Sequence, residues 1–262
     1  MTEKYVVITG ASRGLGKAFA EEFASKNKNL ILVALENDGL ADVAKSIKDR
    51  FNVKVELFET DLAKTESVYL LSEELNAKFE VDYLINNAGI GGTSIFCETA
   101  VEKIDNLIMI NVRALSLLTR LLLPNLKRQE GKSFILNVAS MASFSPMTYK
   151  AVYSASKAYV YYFSRALAEE LKNTNVFVSV VHPGPMKTNA EVTRSIEKQG
   201  RMAKIYGLIT PERTARIAIK HLENNVPFIV PGIVNWLNWI AMRLIPIQFQ
   251  LFMGYRISGK EI

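Results

Sequence analysis

Four apolar residues, Tyr5-Val6-Val7-Ile8, run without polar interruption into Thr9-Gly10-Ala11-Ser12-Arg13-Gly14-Leu15-Gly16, and a helical apolar pattern through Ala18, Phe19 and Phe23 comes immediately after. A continuous apolar run is what a parallel strand buried on both faces requires. Glycines at the turn into a helix let the backbone approach a pyrophosphate, and the free N–H groups and dipole at the helix start favour that anion. The spacing, Gly-x-x-x-Gly-x-Gly, differs from the common Gly-x-Gly-x-x-Gly, and three glycines alone could make only a tight turn. Strand, turn and helix nevertheless fall in the order that a dinucleotide site needs.

The alternation repeats. Strand patterns at 30–35, 53–58 and 81–85 alternate with helical patterns at 40–51 and 67–77, and further strands are expected at 134–138, 176–181 and 228–230. Such a pattern predicts an α/β fold built on a parallel, doubly wound sheet, in three α/β/α layers. The 262 residues, 49% of them hydrophobic, suffice for one sizeable core, and no composition shift divides them, so a single domain over 1–262 is expected. The first strand begins too near Met1 to leave room for a signal peptide. Cys97 is the only cysteine, which rules out an internal disulfide and a thiolate metal cluster and predicts a metal-free site in a reducing, cytoplasmic setting. The net charge of +6 suits a phosphorylated cofactor, an acidic carrier protein or a membrane surface. Its basic residues are scattered, with no aromatic and basic signature of nucleic-acid binding, so no nucleic-acid partner is expected.

The chemistry sits in Tyr153-Ser154-Ala155-Ser156-Lys157, on a helical pattern that extends to Leu171. Residues four apart on a helix lie about 5–6 Å from one another at Cβ, so a phenol and an ammonium share one face. A fixed cation favours phenolate and lowers a tyrosine pKa that is otherwise near ~10, which makes a general acid/base pair. The same spacing on a helix surface also occurs without function. Asp61 follows the third strand, where ligands collect, and could equally cap the next helix. Asn86-Asn87-Ala88-Gly89 follows the fourth strand, and Asn111 interrupts a Leu-rich helical pattern at 101–126, either as a buried amide or as a local bend or water site. Ser140 lies at a strand end thirteen positions before Tyr153. His182 reads as a packed strand-end residue ahead of the turn Pro183-Gly184-Pro185-Met186-Lys187-Thr188.

Taken together, Thr9-Gly10-x-x-x-Gly14-x-Gly16, Asn86-Asn87-Ala88-Gly89, Asn111, Ser140, Tyr153-x-x-x-Lys157 and Pro183-Gly184-x-x-x-Thr188 resemble the short-chain dehydrogenase/reductase family over about residues 4–190. The resemblance implies a Rossmann fold and hydride transfer between NADP or NAD and a carbonyl or secondary alcohol of a small molecule. By that resemblance Tyr153 donates or accepts the proton, Ser140 holds the substrate oxygen, Lys157 lowers the Tyr153 pKa and binds the nicotinamide ribose, and Asn111 supports a relay water. The turn of Gly10, Ser12, Arg13, Gly14, Leu15 and Gly16 would hold the pyrophosphate, Asp61 with Leu62 the adenine, and Asn87, Ala88 and Gly89 the adjacent ribose region. Thr188, on the turn with Pro183, Gly184 and Met186, would hold the nicotinamide carboxamide. An acid after the second strand would repel a 2′-phosphate, but that slot falls on Ala34 and Leu35. Arg13 favours NADP and Glu36 opposes it, so NADP is the preferred reading.

The last third should choose the substrate. Residues 190–209 form a candidate lid or an ordinary surface helix, and Ile90, Phe144, Met147 and Met186 could line an apolar pocket or simply pack. A hydrophobic, acyl or steroid-like carbonyl compound is expected, with reduction of a 3-oxoacyl carrier-protein thioester as an alternative and a non-catalytic sensor of the reduced cofactor as another. The apolar extension 232–262, with Trp236 and Trp239, is too interrupted to span a bilayer. It could pack on its own domain, close a partner's pocket or lie in a membrane interface. A homodimer or homotetramer through helices 101–126 and 151–171 is what the resemblance implies.

Overall fold

Residues 3–186 and 207–258 are described by the structure, a computed structural model. Seven strands, β1 (Lys4–Thr9), β2 (Asn29–Ala34), β3 (Val55–Glu59), β4 (Glu80–Asn86), β5 (Ser133–Val138), β6 (Val176–Val181) and β7 (Phe228–Ile229), form one parallel sheet in the order β3-β2-β1-β4-β5-β6-β7. The chain winds outward from β1 to β3, returns to the centre at β4 and winds outward the other way. Adjacent strands β1 and β4 therefore mark the switch point, beyond whose carboxyl ends a ligand crevice opens.

Helices cover both faces of the sheet. On one face Val6 and Ile8 of β1 meet Phe19 and Phe23 of α1 (Gly14–Ser25), Ile47 of α2 (Leu40–Arg50) and Leu222 of a later helix, Pro211–Glu223. On the other, Tyr5 and Val7 meet Leu71 and Leu75 of α3 (Thr65–Lys78) and residues of the Leu-rich helix. From Tyr5 to Ile8 each side chain is buried whichever way it points, which is why the strand reads as an unbroken apolar run. Phe19 and Phe23 are wholly inaccessible, and burying each contributes about 2–3 kcal/mol. The three-layer architecture expected from the alternation is present.

The helix expected over 101–126 is not a single α-helix. It is α4 (Val101–Ile108), a π-helical turn at Met109–Ala114 and α5 (Leu115–Lys127). A π-turn holds one extra residue per hydrogen-bonded ring and rotates the helix beyond it, so Asn111 sits at a bend rather than on a regular face. The Tyr–Lys pair lies on α6 (Ala151–Glu170), and Pro211–Glu223 is α7.

Past Gly232, the C-terminal extension forms α8 (Ile233–Leu244) and α9 (Ile247–Ser258). One face of α8 packs on its own domain: Asn235 is buried, and the Trp239 ring lies 5.1 Å from that of Phe228. Gln250 Nε2 donates to the carbonyls of Met242 and Ile245, both at 2.7 Å, and so fixes α9 against the end of α8. Tyr255 of α9 then reaches Tyr149, just ahead of α6, with ring centroids 5.9 Å apart.

Candidate active site

Close packing, rather than turn flexibility alone, dictates the glycines after β1. A Cβ at Gly16 would lie 2.0 Å from the Gly10 carbonyl oxygen, and one at Gly10 would lie 2.9 Å from Ala88 Cα. Gly14 instead needs its positive φ of 55°. The β4 loop is tied to this turn: Asn87 Nδ2 donates to the carbonyls of Thr9 (2.9 Å) and Gly10 (3.1 Å), while Thr9 Oγ1 accepts the N–H groups of Asn87 and Ala88 at 3.0 Å each. No side chain caps the start of α1, and no acid stands in its first turn. A backbone surface free of Cβ atoms beside uncapped N–H groups fits a pyrophosphate.

Asp38, in the turn after β2, is not singled out by any sequence pattern. Its carboxylate accepts the Ser12 hydroxyl at 2.5 Å and pairs with the Arg13 guanidinium. The pairing crosses 25 positions and joins two loops, so no local signal marks it. Ala34 is buried at the end of β2, and Leu35 is 49% exposed. Asp61 does not cap α3: Lys64 occupies the cap position, and Asp61 Oδ1 accepts the Ala63 N–H at 2.9 Å in a local turn. Leu62 beside it is buried in the core.

A buried polar chain backs the β4 and β5 ends. Asn86 Nδ2 donates to Thr119 Oγ1 (2.9 Å) and Asn137 Oδ1 (2.8 Å), and Asn137 Nδ2 donates to Ser164 Oγ (2.9 Å). Asn111 makes a second clamp. Its Oδ1 accepts the Ile90 N–H and its Nδ2 donates to the Ile90 carbonyl, both at 2.9 Å, and Nδ2 also donates to Ser156 Oγ of α6 at 3.0 Å. Both sequence readings of Asn111, buried amide and local bend, are realised together.

Ser140, Tyr153 and Lys157 converge beyond β5. Ser140 starts a 3₁₀ turn, Met141–Phe144, as its cap: Oγ accepts the Ala142 N–H at 3.1 Å, and Ser143 closes a capping box. The same Ser140 hydroxyl lies near the Tyr153 phenol and favours its ionised form. One turn further along α6, Lys157 Nζ donates to the Val138 carbonyl at 3.0 Å and lies 6.0 Å from the Tyr153 ring centre. Small residues let these groups approach: a Cβ at Gly91 would sit 3.2 Å from the Tyr153 ring, and one at Gly89 would sit 3.2 Å from Lys157 Nζ and 3.1 Å from Asn111 Oδ1.

The expected depression of the Tyr153 pKa is not what this geometry produces. Although the residue as a whole keeps some exposure, burial pushes its phenol up and outweighs the opposing influence of the Ser140 hydroxyl. Burial acts on the lysine as well and lowers it to about 8. Lys157 thus remains mostly charged at neutral pH but is poised to lose its proton just above it.

His182 is wholly buried, as its strand-end reading requires. Nδ1 lies 3.2 Å from the Ser140 carbonyl, and burial lowers its pKa to about 3, so it works as a neutral packed ring rather than as a base. Phe144 belongs to the same aromatic cluster, against His182, Tyr161, Phe228 and Trp239. Packing, not the substrate, accounts for it. Of the remaining pocket residues, Ile90 is exposed, Met147 is half-buried, and Met186 packs on the core edge.

Asn235 of α8 is a further residue that the sequence does not disclose. Its Nδ2 donates to the carbonyls of Gly207 (3.0 Å) and Pro231 (2.8 Å), and its Oδ1 lies where a Cβ on Gly184 would be only 2.4 Å away. The turn at Pro183-Gly184 is thereby wedged against the C-terminal extension. Thr188 and the candidate lid up to residue 206 lie outside the described residues.

Residues 4–199 match the family described as short chain dehydrogenase. The very-long-chain 3-oxoacyl-CoA reductase-A of Danio rerio is 30% identical over 266 residues, covering 98% of this chain and 79% of the relative. The inactive hydroxysteroid dehydrogenase-like protein 1 of Homo sapiens is 33% identical over 182 residues, 69% of this chain and 55% of its own length. Among solved structures, a short-chain dehydrogenase from Sphingobium yanoikuyae in complex with NADPH superposes with a TM-score of 0.79 at 28% identity, covering 92% of each chain.

Proposed function

Because the chain belongs to the short-chain dehydrogenase family, we propose that it is an NAD(P)-dependent oxidoreductase that interconverts a carbonyl and a secondary alcohol on a hydrophobic, acyl-type substrate. The observation that carries this reading is the convergence of the Ser140 hydroxyl and the Tyr153 phenol beyond β5, with the Lys157 ammonium buried one helical turn away.

The nicotinamide supplies or takes up the hydride. The glycine turn with Ser12 and Arg13 would hold the phosphates, Asn87 secures the turn from behind, and Lys157 faces the region where Gly89 and Asn111 meet. Ser140 and Tyr153 present two hydroxyls to the substrate oxygen and stabilise the charge that develops there. The raised pKa keeps the Tyr153 phenol protonated at neutral pH, and Lys157 one turn away would stabilise the phenolate left once the proton passes to that oxygen.

NADP is the preferred cofactor. Support comes from the missing acid at Ala34 and Leu35, from Arg13 and from the NADPH named with the Sphingobium structure. Asp38 opposes it by competing with a 2′-phosphate for the Arg13 guanidinium. The substrate reading draws on the 3-oxoacyl thioester named for the Danio rerio relative, and a carrier-protein thioester is the nearest alternative. A silent cofactor-binding protein is the second reading, favoured by the name of the human relative alone. A reducing, cytoplasmic setting is proposed on cysteine usage alone, a single Cys97 in 262 residues.

An apolar groove lined by Ile108, Val112, Val152, Ala155 and Tyr159, between α4 with its π-turn and α6, fits a second copy of the chain.

The test is a carbonyl panel read by NADPH absorbance with wild type and Tyr153→Phe. Wild type should consume NADPH with medium- and long-chain 3-oxoacyl thioesters. The variant should lose about 100-fold or more of turnover yet bind NADPH as before by fluorescence titration. Unimpaired turnover in Tyr153→Phe would remove the catalytic role. Wild type that binds NADPH but never consumes it would favour the silent reading, and tighter binding of NAD than of NADP would reverse the cofactor choice.

A further inference from the structure

The two C-terminal helices present more apolar surface than their own domain covers. On α8, Ile233, Trp236, Leu237 and Leu244 are all exposed, Ile233 and Leu244 by more than three quarters. They recur three, four and seven positions apart and so form one stripe. Asn235 and Trp239 occupy the opposite face and hold the helix to the domain. The stripe therefore faces away from the protein because the inner face is already committed. It continues onto α9 through Ile247 and Phe249, each about half exposed.

Charge narrows the choice of occupant. From residue 224 to residue 262 the charged residues are Arg243, Arg256, Lys260 and Glu261, and within α8 and α9 themselves the only charges, Arg243 and Arg256, are basic. Arg243 lies over the Trp239 ring at 5.2 Å, beside the stripe rather than within it. The apolar face, with the exposed Trp236 indole, supplies most of the contact and the flanking arginines only bias it toward negative charge. An amphipathic helix with an apolar stripe, an interfacial tryptophan and only cationic charge matches the requirements of an anionic lipid surface.

We propose that α8 and α9 dock this protein peripherally on an anionic bilayer, with Ile233, Trp236, Leu237 and Leu244 entering the headgroup and acyl boundary and Arg243 at the phosphate level. The docking face is joined to the start of α6, the helix of Tyr153 and Lys157, since Tyr255 of α9 packs on Tyr149 immediately before it. Docking does not rest on the reductase reading, and its test involves no turnover.

The test is flotation of the full chain with vesicles of phosphatidylcholine alone and of phosphatidylcholine with a third phosphatidylglycerol, at low and at high salt. Wild type should float with the anionic vesicles at least tenfold more than with the neutral ones, and added salt should weaken but not abolish binding. The double variant Trp236→Glu/Leu237→Glu, altered only at exposed positions, should lose flotation at least tenfold while keeping its melting temperature and NADPH affinity. Wild type left at the bottom of every gradient overturns the proposal. So does a variant that floats normally but changes oligomeric mass by light scattering, which would assign the stripe to a second copy. Binding lost entirely in high salt and unaffected by the double variant would overturn it too, since charge alone would then explain the contact.

Discussion

Lys157 illustrates at a single residue how function sets itself against stability. Burial lowers its pKa from 10.5 to about 8, so the folded state sheds a proton that the unfolded state retains. Below about pH 8 both states are protonated and the fold carries the full penalty, on the order of 3 kcal/mol. Between about 8 and 10.5 the unfolded chain binds more protons, so this residue's contribution to stability rises with pH. Tyr83 and Tyr153, whose pKa values burial raises, act in the opposite sense at still higher pH. The measurement must therefore be a difference. Urea midpoints of wild type and Lys157→Met, tracked from pH 7 to pH 10.5, should shift in favour of wild type as pH rises, while the variant loses turnover at every pH. A constant offset across that window would mean that the ammonium is solvated after all.

The same residue scale separates what the chain discloses from what it hides. Tyr153, Lys157, Ser140 and the glycines are legible because their roles depend on local spacing: four positions on a helix, a strand end, a turn into a helix. Asp38 and Asn235 are not, because each acts only through partners brought from elsewhere. Asp38 meets Ser12 and Arg13 across 26 and 25 positions, and Asn235 reaches Gly207 from 28 positions away. The sign of the Tyr153 shift escapes the sequence for a related reason: spacing reveals the neighbouring cation but not the burial that pushes the phenol up.

At the scale of elements, the π-turn at Met109–Ala114 is where sequence periodicity and structure part. The Leu-rich pattern continues through it almost undisturbed, so a single helix is the natural expectation, and only Asn111 hints otherwise. The turn allows one side chain to clamp the loop after β4 to α6 through Ile90 and Ser156. That loop carries Gly91, which lies against Tyr153. Asn111→Ala removes three hydrogen bonds and leaves Ile90 to solvent, a cost of about 2–3 kcal/mol. Amide exchange in residues 88–94 should accelerate at least tenfold, and turnover should fall with little change in NADPH affinity, since the glycine turn and Asn87 are held separately. Unaltered exchange in that loop would show that its order comes from elsewhere.

For the whole molecule, α6 links chemistry to assembly. Its inward side carries Tyr153, Ser156, Lys157 and Val160, and its outward side carries Val152, Ala155, Tyr159 and Tyr162, with Tyr162 69% exposed. The 27-residue helical segment Val101–Lys127 beside it is apolar enough to cross a bilayer by length and composition, the only such helix among the described residues. Its inner face, however, is built into the core through Leu118, Leu122 and Leu126. Its outer side shares with α6 the apolar groove of Ile108, Val112, Val152, Ala155 and Tyr159, and a second copy would meet that groove with an identical one. Ala155 lies in that groove and is exposed in the single chain, so Ala155→Glu should leave the isolated fold intact while placing two like charges near the twofold axis. Light scattering should report a dimer or tetramer for wild type and a monomer for the variant. The variant's turnover should fall as α6 loses its support, whereas its partition onto anionic vesicles should persist, because α8 and α9 lie outside the groove. A wild type that remains monomeric at tens of micromolar, or a variant with undiminished mass, would leave this face without the partner its composition calls for.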